Sequence, residues 1–235
     1  MIELTIDNQK VEVEEGTTIL EAASKLNITI PTLCHHENLS PFGACRLCTV
    51  EIISDGASGL TTACTYPVEQ GIEVRTNSEK ALEARKLAAQ LLLAKCPSSK
   101  EIQDIAKGLG VERLKVEVKE EECILCGLCV RACQEIVGLG VIRFIDRGVN
   151  RDVEEPFIEA SPDICIGCGT CFYVCPTGYI KMAEAGGKRT IWGREFELKK
   201  CKVCGNYWAP EAQLEYIREK LDLPQDFFDV CPNCK

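Results

Sequence analysis

The chain has 235 residues, 17 of them cysteine, and its net charge of −9 at pH 7 excludes the basic surface that non-specific nucleic-acid binding needs. The sequence shows neither a run of roughly 20 apolar residues nor a basic, apolar leader, which predicts a cytoplasmic protein without direct membrane insertion. In that compartment we expect cysteines to ligate metals rather than to form disulfides.

Residues 1–76 have the pattern of a small mixed sheet with one helix. Apolar and polar residues alternate from Ile2 to Ile6 and again from Val11 to Val13, with a turn between, which predicts a hairpin. Thr17 or Thr18 is expected to cap a helix over TTILEAASKL. The segments TVEII and GIEVR are expected to be further strands.

Four cysteines follow this helix with gaps of ten, two and fifteen residues: Cys34, Cys45, Cys48 and Cys64. Three close ligands and a remote fourth are typical of a plant-type 2Fe-2S site, where loop amides hydrogen-bond the sulfurs. Gly43 and Ala44 fit such a loop because small residues let the backbone approach sulfur. His35 and His36 invite a Rieske interpretation, but four cysteines are already present, so we expect both histidines to face solvent.

The stretch PTLCHHENLSPFGACRLCTVEI, followed by TTAC, resembles the N-terminal domain of the complex I large iron-sulfur subunit. The same module opens many FeFe hydrogenases and the diaphorase iron-sulfur subunit of NAD-linked NiFe hydrogenases. The resemblance implies a 2Fe-2S cluster in a ferredoxin-like β-grasp domain over residues 1–76. Succinate dehydrogenase iron-sulfur subunits are similar too, but their first gap is short.

Residues 77–118 are predicted to be a helical connector, with a helix from Asn77 to Ala94. In the family that the chain resembles, a cluster site of one histidine and three cysteines follows this helix. The matching stretch AKCPSSKEIQDIA keeps Cys96, has Ser99 where a second cysteine is expected, and lacks the histidine. We interpret this cluster site as lost and Cys96 as an ordinary buried cysteine.

Two runs, CILCGLCVRAC at 123–133 and CIGCGTCFYVCP at 165–176, share the spacing CxxCxxCxxxC. In two-cluster ferredoxins the first three cysteines of a run bind one cubane and the fourth reaches the other. This rule assigns Cys123, Cys126, Cys129 and Cys175 to a first 4Fe-4S cluster, and Cys165, Cys168, Cys171 and Cys133 to a second. Residues 119–184 are therefore predicted to be a bacterial-type ferredoxin domain; zinc knuckles rarely have three cysteines at these gaps.

Between the two runs, VIRFIDRGVN and RDVEEPFIEAS predict a hairpin-like insertion. Its arginines lie among acidic residues: Arg143, Arg147 and Arg151. This mixture indicates a solvated face, with a docking surface as the alternative.

Residues 185–235 contain two knuckles, CKVCG and CPNC, separated by the helical-looking PEAQLEYIREKL. Their cysteines are Cys201, Cys204, Cys231 and Cys234. Four thiolates from two knuckles are typical of zinc ribbons and of rubredoxin, which holds a mononuclear iron; a third 4Fe-4S cluster is the remaining alternative. We favour zinc because closed four-thiolate sites supply folding energy to small domains. Trp192, Tyr207 and Trp208 are expected to pack or form an interface rather than to relay electrons.

The sequence has no glycine-rich turn suited to a dinucleotide and no activated nucleophile, so we expect an α+β, non-catalytic electron-transfer subunit. The resemblance, which covers residues 1 to about 183, implies a flavin- and NAD-binding partner. The resemblance also implies a second partner at the opposite end of the electron path, a hydrogenase, formate dehydrogenase or other reductase. Electron-bifurcating assemblies are among the complexes it includes. Two alternatives stay open, an iron-sulfur redox or iron sensor whose clusters hold an interaction surface together and a self-contained reductase.

Overall fold

The computed structural model describes residues 1–54, 57–112, 121–156 and 164–235. The chain divides into two compact units, Met1–Leu128 and Cys129–Lys235. Both units mix helices with strands, in agreement with the predicted α+β class. Within the described ranges, no helix is long and apolar enough to cross a membrane.

The first unit is built on a mixed five-stranded sheet. Its strands are β1 (Ile2–Ile6), β2 (Gln9–Val13), β3 (Thr49–Ser54), β4 (Ala57–Thr62) and β5 (Glu73–Arg75). Their order is β2-β1-β5-β3-β4, with β1 parallel to β5 and the other neighbours antiparallel. The hairpin and the strands at TVEII and GIEVR are confirmed. Strand β4 was not predicted, because its one large apolar residue, Leu60, is exposed and leaves no alternation.

One helix, α1 (Ile19–Lys25), packs its buried residues Ile19, Ala22 and Ala23 into the core of this sheet. Of the two threonines expected to cap it, Thr18 does so. The Thr18 side chain accepts the N–H of Glu21, and the Glu21 carboxylate accepts the N–H of Thr18 at 2.7 Å. This reciprocal capping box begins the helix and sets the direction of the segment that carries the first cysteines.

Two helices complete the first unit. The predicted connector helix is confirmed as α2 (Glu79–Lys95), and Ser78 caps it through the N–H of Ala81. A second helix, α3 (Lys100–Gly108), was not predicted, because AKCPSSKEIQDIA was interpreted only as a lost cluster site. Ile102 and Ala106 lie one turn apart and are both buried, so α3 packs through one apolar face.

The second unit begins within a short helix, α4 (Leu128–Arg131), that continues as a π-helix (Ala132–Val137). The predicted insertion is confirmed as an antiparallel pair, β6 (Arg143–Ile145) and β7 (Asp152–Glu154). Arg143 forms an ion pair with Glu154, which matches the interpretation of a solvated face. Residues 157–163, which include part of RDVEEPFIEAS, lie outside the described ranges. A helix of one turn, α5 (Thr170–Tyr173), lies within the second cysteine run.

An antiparallel four-stranded sheet forms the rest of this unit. Its strands are β8 (Met182–Ala185), β9 (Lys188–Ile191), β10 (Arg194–Lys200) and β11 (Tyr207–Pro210), in the order β11-β10-β9-β8. The predicted helix at PEAQLEYIREKL is confirmed as α6 (Glu211–Lys220), which packs on β10 and β11. The predicted boundary between residues 184 and 185 falls inside β8, so the sheet extends to both sides of it.

Candidate metal centres

The four cysteines predicted to bind the 2Fe-2S cluster lie side by side in the first unit, and each is more than nine-tenths buried. The sulfurs of Cys48 and Cys64 are 3.3 Å apart. Hydrogen bonds from Cys45 and Cys64 lower the pKa of Cys34, and the same contacts raise the pKa values of those two partners. Without a bound cation, some of the four cysteines therefore remain protonated, and the set does not hold four thiolates. A metal cluster is the group whose positive charge makes all four thiolates stable there.

The loop between α1 and β3 presents backbone N–H groups to these sulfurs. The N–H of Cys45 donates to Cys34 Sγ at 3.4 Å, and the N–H of Ala44 hydrogen-bonds the same sulfur. Gly43 and Arg46 have φ angles of 70° and 61°, in the left-handed region, so the loop turns its amides inward. Four thiolates with amide donors form the ligand environment that suits an iron-sulfur cluster.

Two other candidate ligands in this unit have local structural roles. His36 is half-buried, and its Nδ1 accepts the backbone N–H of Asn38 at 3.2 Å. Cys96 is fully buried, and burial raises the pKa of its thiol to about 11. The stretch AKCPSSKEIQDIA offers no second cysteine or histidine beside it, which supports the interpretation of Cys96 as an ordinary buried cysteine.

The four predicted ligands of the second 4Fe-4S cluster line one cavity in the second unit. It is a narrow cavity of about 20 Å³, and its walls include Cys133, Cys165, Cys168 and Cys171 together with Val137, Leu139, Ile142 and Ile166. Burial raises the pKa values of Cys165 and Cys171, the latter to about 12. Thiolates in this apolar cavity need a bound metal group to compensate their charge; that the four sulfurs share one cluster stays a prediction.

The predicted ligands of the first 4Fe-4S cluster are divided between the units, with Cys123 and Cys126 in the first and Cys129 and Cys175 in the second. In the first unit, the N–H of Leu125 donates to Cys123 Sγ at 3.4 Å. In the second, burial alone would raise the pKa of Cys175, but hydrogen bonds led by the N–H of Ile180 outweigh it and lower that pKa. Both environments stabilise a thiolate; that the four sulfurs share one cluster stays a prediction.

Two strands of the second sheet pack directly on the ligand loop of the second run. Gly167 and Gly169 have φ angles of 63° and 79°. A Cβ atom on Gly167 would lie 2.5 Å from Cγ of Phe196 on β10, and one on Gly169 would lie 2.8 Å from Sδ of Met182 on β8. Glycine is therefore required at both positions by backbone conformation and by space, and the sheet fixes the path of the loop.

A buried arginine on β9 holds the same loop through hydrogen bonds. Arg189 Nη1 donates to the carbonyl oxygens of Gly167 and Cys168, both at 3.0 Å. Its Nη2 pairs with the carboxylate of Glu184 at 2.6 Å. The guanidinium thus satisfies two backbone acceptors next to the cysteine ligands while its charge is neutralised by the pair.

Trp192 has a more specific contact than the packing role expected from the sequence. It lies in the two-residue turn between β9 and β10, with a φ angle of 53°, and its indole Nε1 donates to Cys171 Sγ at 3.4 Å. Gly193, with a φ angle of 70°, is the residue that suits this turn, and only the fold brings Trp192 to a sulfur. Hydrogen bonds to ligand sulfurs are among the factors that set cluster potentials.

We expect Trp192→Phe to lower the midpoint potential of one 4Fe-4S cluster. The indole N–H stabilises the negative charge that reduction adds, and a hydrogen bond worth about 1 kcal/mol corresponds to roughly 40 mV for one electron. An anaerobic redox titration followed by electron paramagnetic resonance (EPR) measures this shift. Trp208→Phe is the matched control, because Trp208 Nε1 is buried without a hydrogen-bond partner in the described part of the chain. Equal potentials in the two variants would contradict the role of Trp192.

The last four cysteines form a compact site at the end of the second sheet. Their sulfurs all lie within 4.8 Å of one another: Cys201, Cys204, Cys231 and Cys234. Tetrahedral ligation with Zn–S bonds of about 2.3 Å places sulfurs roughly 3.8 Å apart, so a small inward adjustment closes the site. Hydrogen bonds from the backbone N–H groups of Cys231 and Cys204 lower the pKa of Cys201 to about 6, which supplies a thiolate at neutral pH.

Comparisons with known proteins match two of these regions to domain families. Residues 1–79 match the family described as "2Fe-2S iron-sulfur cluster binding domain". Residues 157–180, which contain the second cysteine run, match the family described as "4Fe-4S binding domain". The chain therefore contains 2Fe-2S and 4Fe-4S binding domains, as the cysteine spacing predicted.

Longer similarities extend over most of the chain. It is 36% identical over 92% of its length to the alpha chain of the NADPH-Fe(3+) oxidoreductase of Geobacter sulfurreducens. It is 34% identical over 87% to an NADH-quinone oxidoreductase chain of Rhizobium meliloti, and 32% identical over 76% to the HndD chain of the NADP-reducing hydrogenase of Solidesulfovibrio fructosivorans. The chain is homologous to a part of these oxidoreductase subunits. It spans 28%, 27% and 35% of their respective lengths.

A solved structure shows the same fold. A chain of the "NAD+-reducing [NiFe]-hydrogenase in the H2-reduced state" matches with a TM-score of 0.66 at 23% identity. The match covers 87% of this chain and 88% of that one. The three oxidoreductase relatives confirm the resemblance to NADH-linked and hydrogenase subunits inferred from the cysteine motifs.

Proposed function

We propose that this chain is an iron-sulfur electron-transfer subunit that relays single electrons between a flavin- and NAD-binding partner and a hydrogenase, formate dehydrogenase or other reductase. The observation that carries the proposal is the presence, within one homologous chain, of several distinct cysteine sets with amide or indole donors on their sulfurs. When bound, clusters of these types exchange one electron each. The cysteines hold them, and the loop amides and burial adjust how readily they accept charge.

In this proposal each segment has a separate task. Residues 1–76 hold the 2Fe-2S cluster and residues 77–118 connect it to the rest. Residues 119–184 hold two 4Fe-4S clusters with the ligand sets assigned above. Residues 185–235 bind one zinc ion, because the four knuckle cysteines close around a single position and the sheet that leads to them also packs on a ligand loop.

Metal analysis of the anaerobically purified chain tests the cofactor content. We expect about ten irons and one zinc per chain, from one 2Fe-2S cluster, two 4Fe-4S clusters and a zinc site. About eleven irons without zinc would replace zinc by a mononuclear iron, and about fourteen would indicate a third 4Fe-4S cluster. Less than one 4Fe-4S cluster in addition to the 2Fe-2S cluster would contradict the relay.

Anaerobic affinity purification from the native host, followed by mass spectrometry, tests the partners. Recovery with a flavin- and NAD-binding chain and with a hydrogenase, formate dehydrogenase or other reductase chain supports the proposal. A reciprocal purification with the tag on the recovered partner leaves this chain unaltered and is expected to return the same set of proteins. Recovery alone, or with a regulator, would favour the sensor instead.

A further inference from the structure

Arg85 is a buried cation in the first unit, and metal ligation by the predicted cysteines does not by itself account for a buried positive charge at this position. It lies on α2, and only 3% of its surface is exposed. Its Nε donates to the carbonyl oxygen of Thr49 at 2.8 Å. Its Nη2 is also buried, and it has no hydrogen-bond partner among the residues that the structure describes.

A guanidinium in this position needs a negative group. Burial lowers the pKa of Arg85, and the charges of Cys48 and Asp7 oppose that effect, with Cys48 the stronger of the two. The carboxylate of Asp7 is already occupied by Thr76, whose N–H it accepts at 2.8 Å. A buried cation without a paired anion is strongly unfavourable, so the partner is expected on the side of Cys48.

The backbone places Arg85 next to a predicted cluster ligand. Thr49, whose carbonyl Arg85 holds, directly follows Cys48 in the chain. Four thiolates, two sulfides and two ferric ions give the oxidised 2Fe-2S cluster a net charge of 2−, and uptake of one electron makes it 3−. We propose that Arg85 is the buried counter-cation of the 2Fe-2S cluster and that it raises the midpoint potential of this cluster; the inference rests on the proposed function.

The direction of the effect follows from charge alone. Reduction adds one electron and no proton, and Arg85 remains protonated in both states because guanidinium does not titrate in this range. A fixed positive charge stabilises the 3− state more than the 2− state, and incomplete screening in the buried site preserves the difference. A purely structural role, that of holding the Thr49 carbonyl, would change stability without changing the potential.

The test is an anaerobic redox titration of the full chain, with dithionite as reductant and the EPR signal of the 2Fe-2S cluster as readout. We expect Arg85→Met to reduce the equilibrium constant for electron uptake at least tenfold, which is about 59 mV for one electron. Arg85→Lys keeps the charge and is expected to retain most of the wild-type potential. Lys86→Met is the matched control, since Lys86 is the neighbouring exposed cation on α2 and its removal should leave the potential unchanged.

Each outcome distinguishes a counter-cation of the cluster from a purely structural arginine. A 2Fe-2S signal in Arg85→Met with the wild-type potential would overturn the counter-cation, while the absence of this signal from the wild-type chain would overturn the proposed function as well. If Arg85→Met takes up no cluster, pulsed EPR on the wild-type chain labelled with guanidino-¹⁵N arginine decides. A nitrogen coupling that disappears in labelled Arg85→Lys supports the proposal, and no coupling in the wild type contradicts it.

Discussion

Replacing Arg189 by methionine is expected to prevent assembly of the 4Fe-4S cluster predicted at Cys133, Cys165, Cys168 and Cys171. Methionine fills part of the space but leaves the carbonyl oxygens of Gly167 and Cys168 without their donor. A buried acceptor without a partner costs about 1–3 kcal/mol, and the partly buried acceptor adds less, against the 5–15 kcal/mol of a typical domain. We expect the iron content to fall by about four atoms per chain, because the ligand loop loses its fixed conformation.

Lys188→Met is the matched control for this prediction. Lys188 precedes Arg189 on β9, and it pairs with Glu195 and Glu197 on the surface. Exposed ion pairs contribute at most about 1 kcal/mol, so the control should keep its iron and its melting temperature nearly unchanged. An Arg189→Met protein with the full iron content and the wild-type EPR spectrum would show that the loop is fixed by the cysteines alone.

The sequence can propose ligand cysteines because each cluster type imposes its own spacing. Closely spaced cysteines place their sulfurs on adjacent corners of a cluster, and this constraint is local in the chain. The hairpin at Ile2 to Val13 and the helix that begins after Ser78 were likewise predictable, since their alternation and capping signals lie within a few residues. Local rules therefore identified most elements of the first unit.

The residues that fix the ligand loops and supply charge near them could not be predicted from the sequence in the same way. Arg189 and Gly167 are 22 residues apart, and Arg85 and Thr49 are 36 apart, so their contacts exist only after folding. Strands β8 to β10 also escaped prediction: β8 and β9 have only four residues each, and the polar and apolar alternation is confined to EFELK in β10. A sheet that packs on a ligand loop needs few apolar residues of its own, since glycines and a paired arginine provide the contacts.

This sheet joins two of the predicted centres within the second unit. Phe196 contacts Gly167 near one end of β10, and Cys201 follows the last residue of the same strand. Asp229, close to the second knuckle, pairs with Lys199 and Lys202 on either side of that end. The position of β10 therefore depends on the four-cysteine site, and the ligand loop depends on β10. Loss of the metal at the four-cysteine site should consequently affect the 4Fe-4S site.

The second large effect is expected for Cys204→Ser, which should remove zinc and also lower the 4Fe-4S content. Cys204 is exposed, so serine in its place changes ligation without creating a buried cavity. Structural zinc contributes about 10–16 kcal/mol in zinc-finger peptides, and loss of one of four thiolates forfeits much of it. The measurements are zinc and iron per chain and the melting temperature of the anaerobic protein.

Cys96→Ser is the matched control, because this buried cysteine belongs to no predicted ligand set and its replacement should leave both metals in place. Zinc loss with unchanged iron would show that the sheet keeps its position without the metal, and unchanged zinc would exclude Cys204 as a ligand.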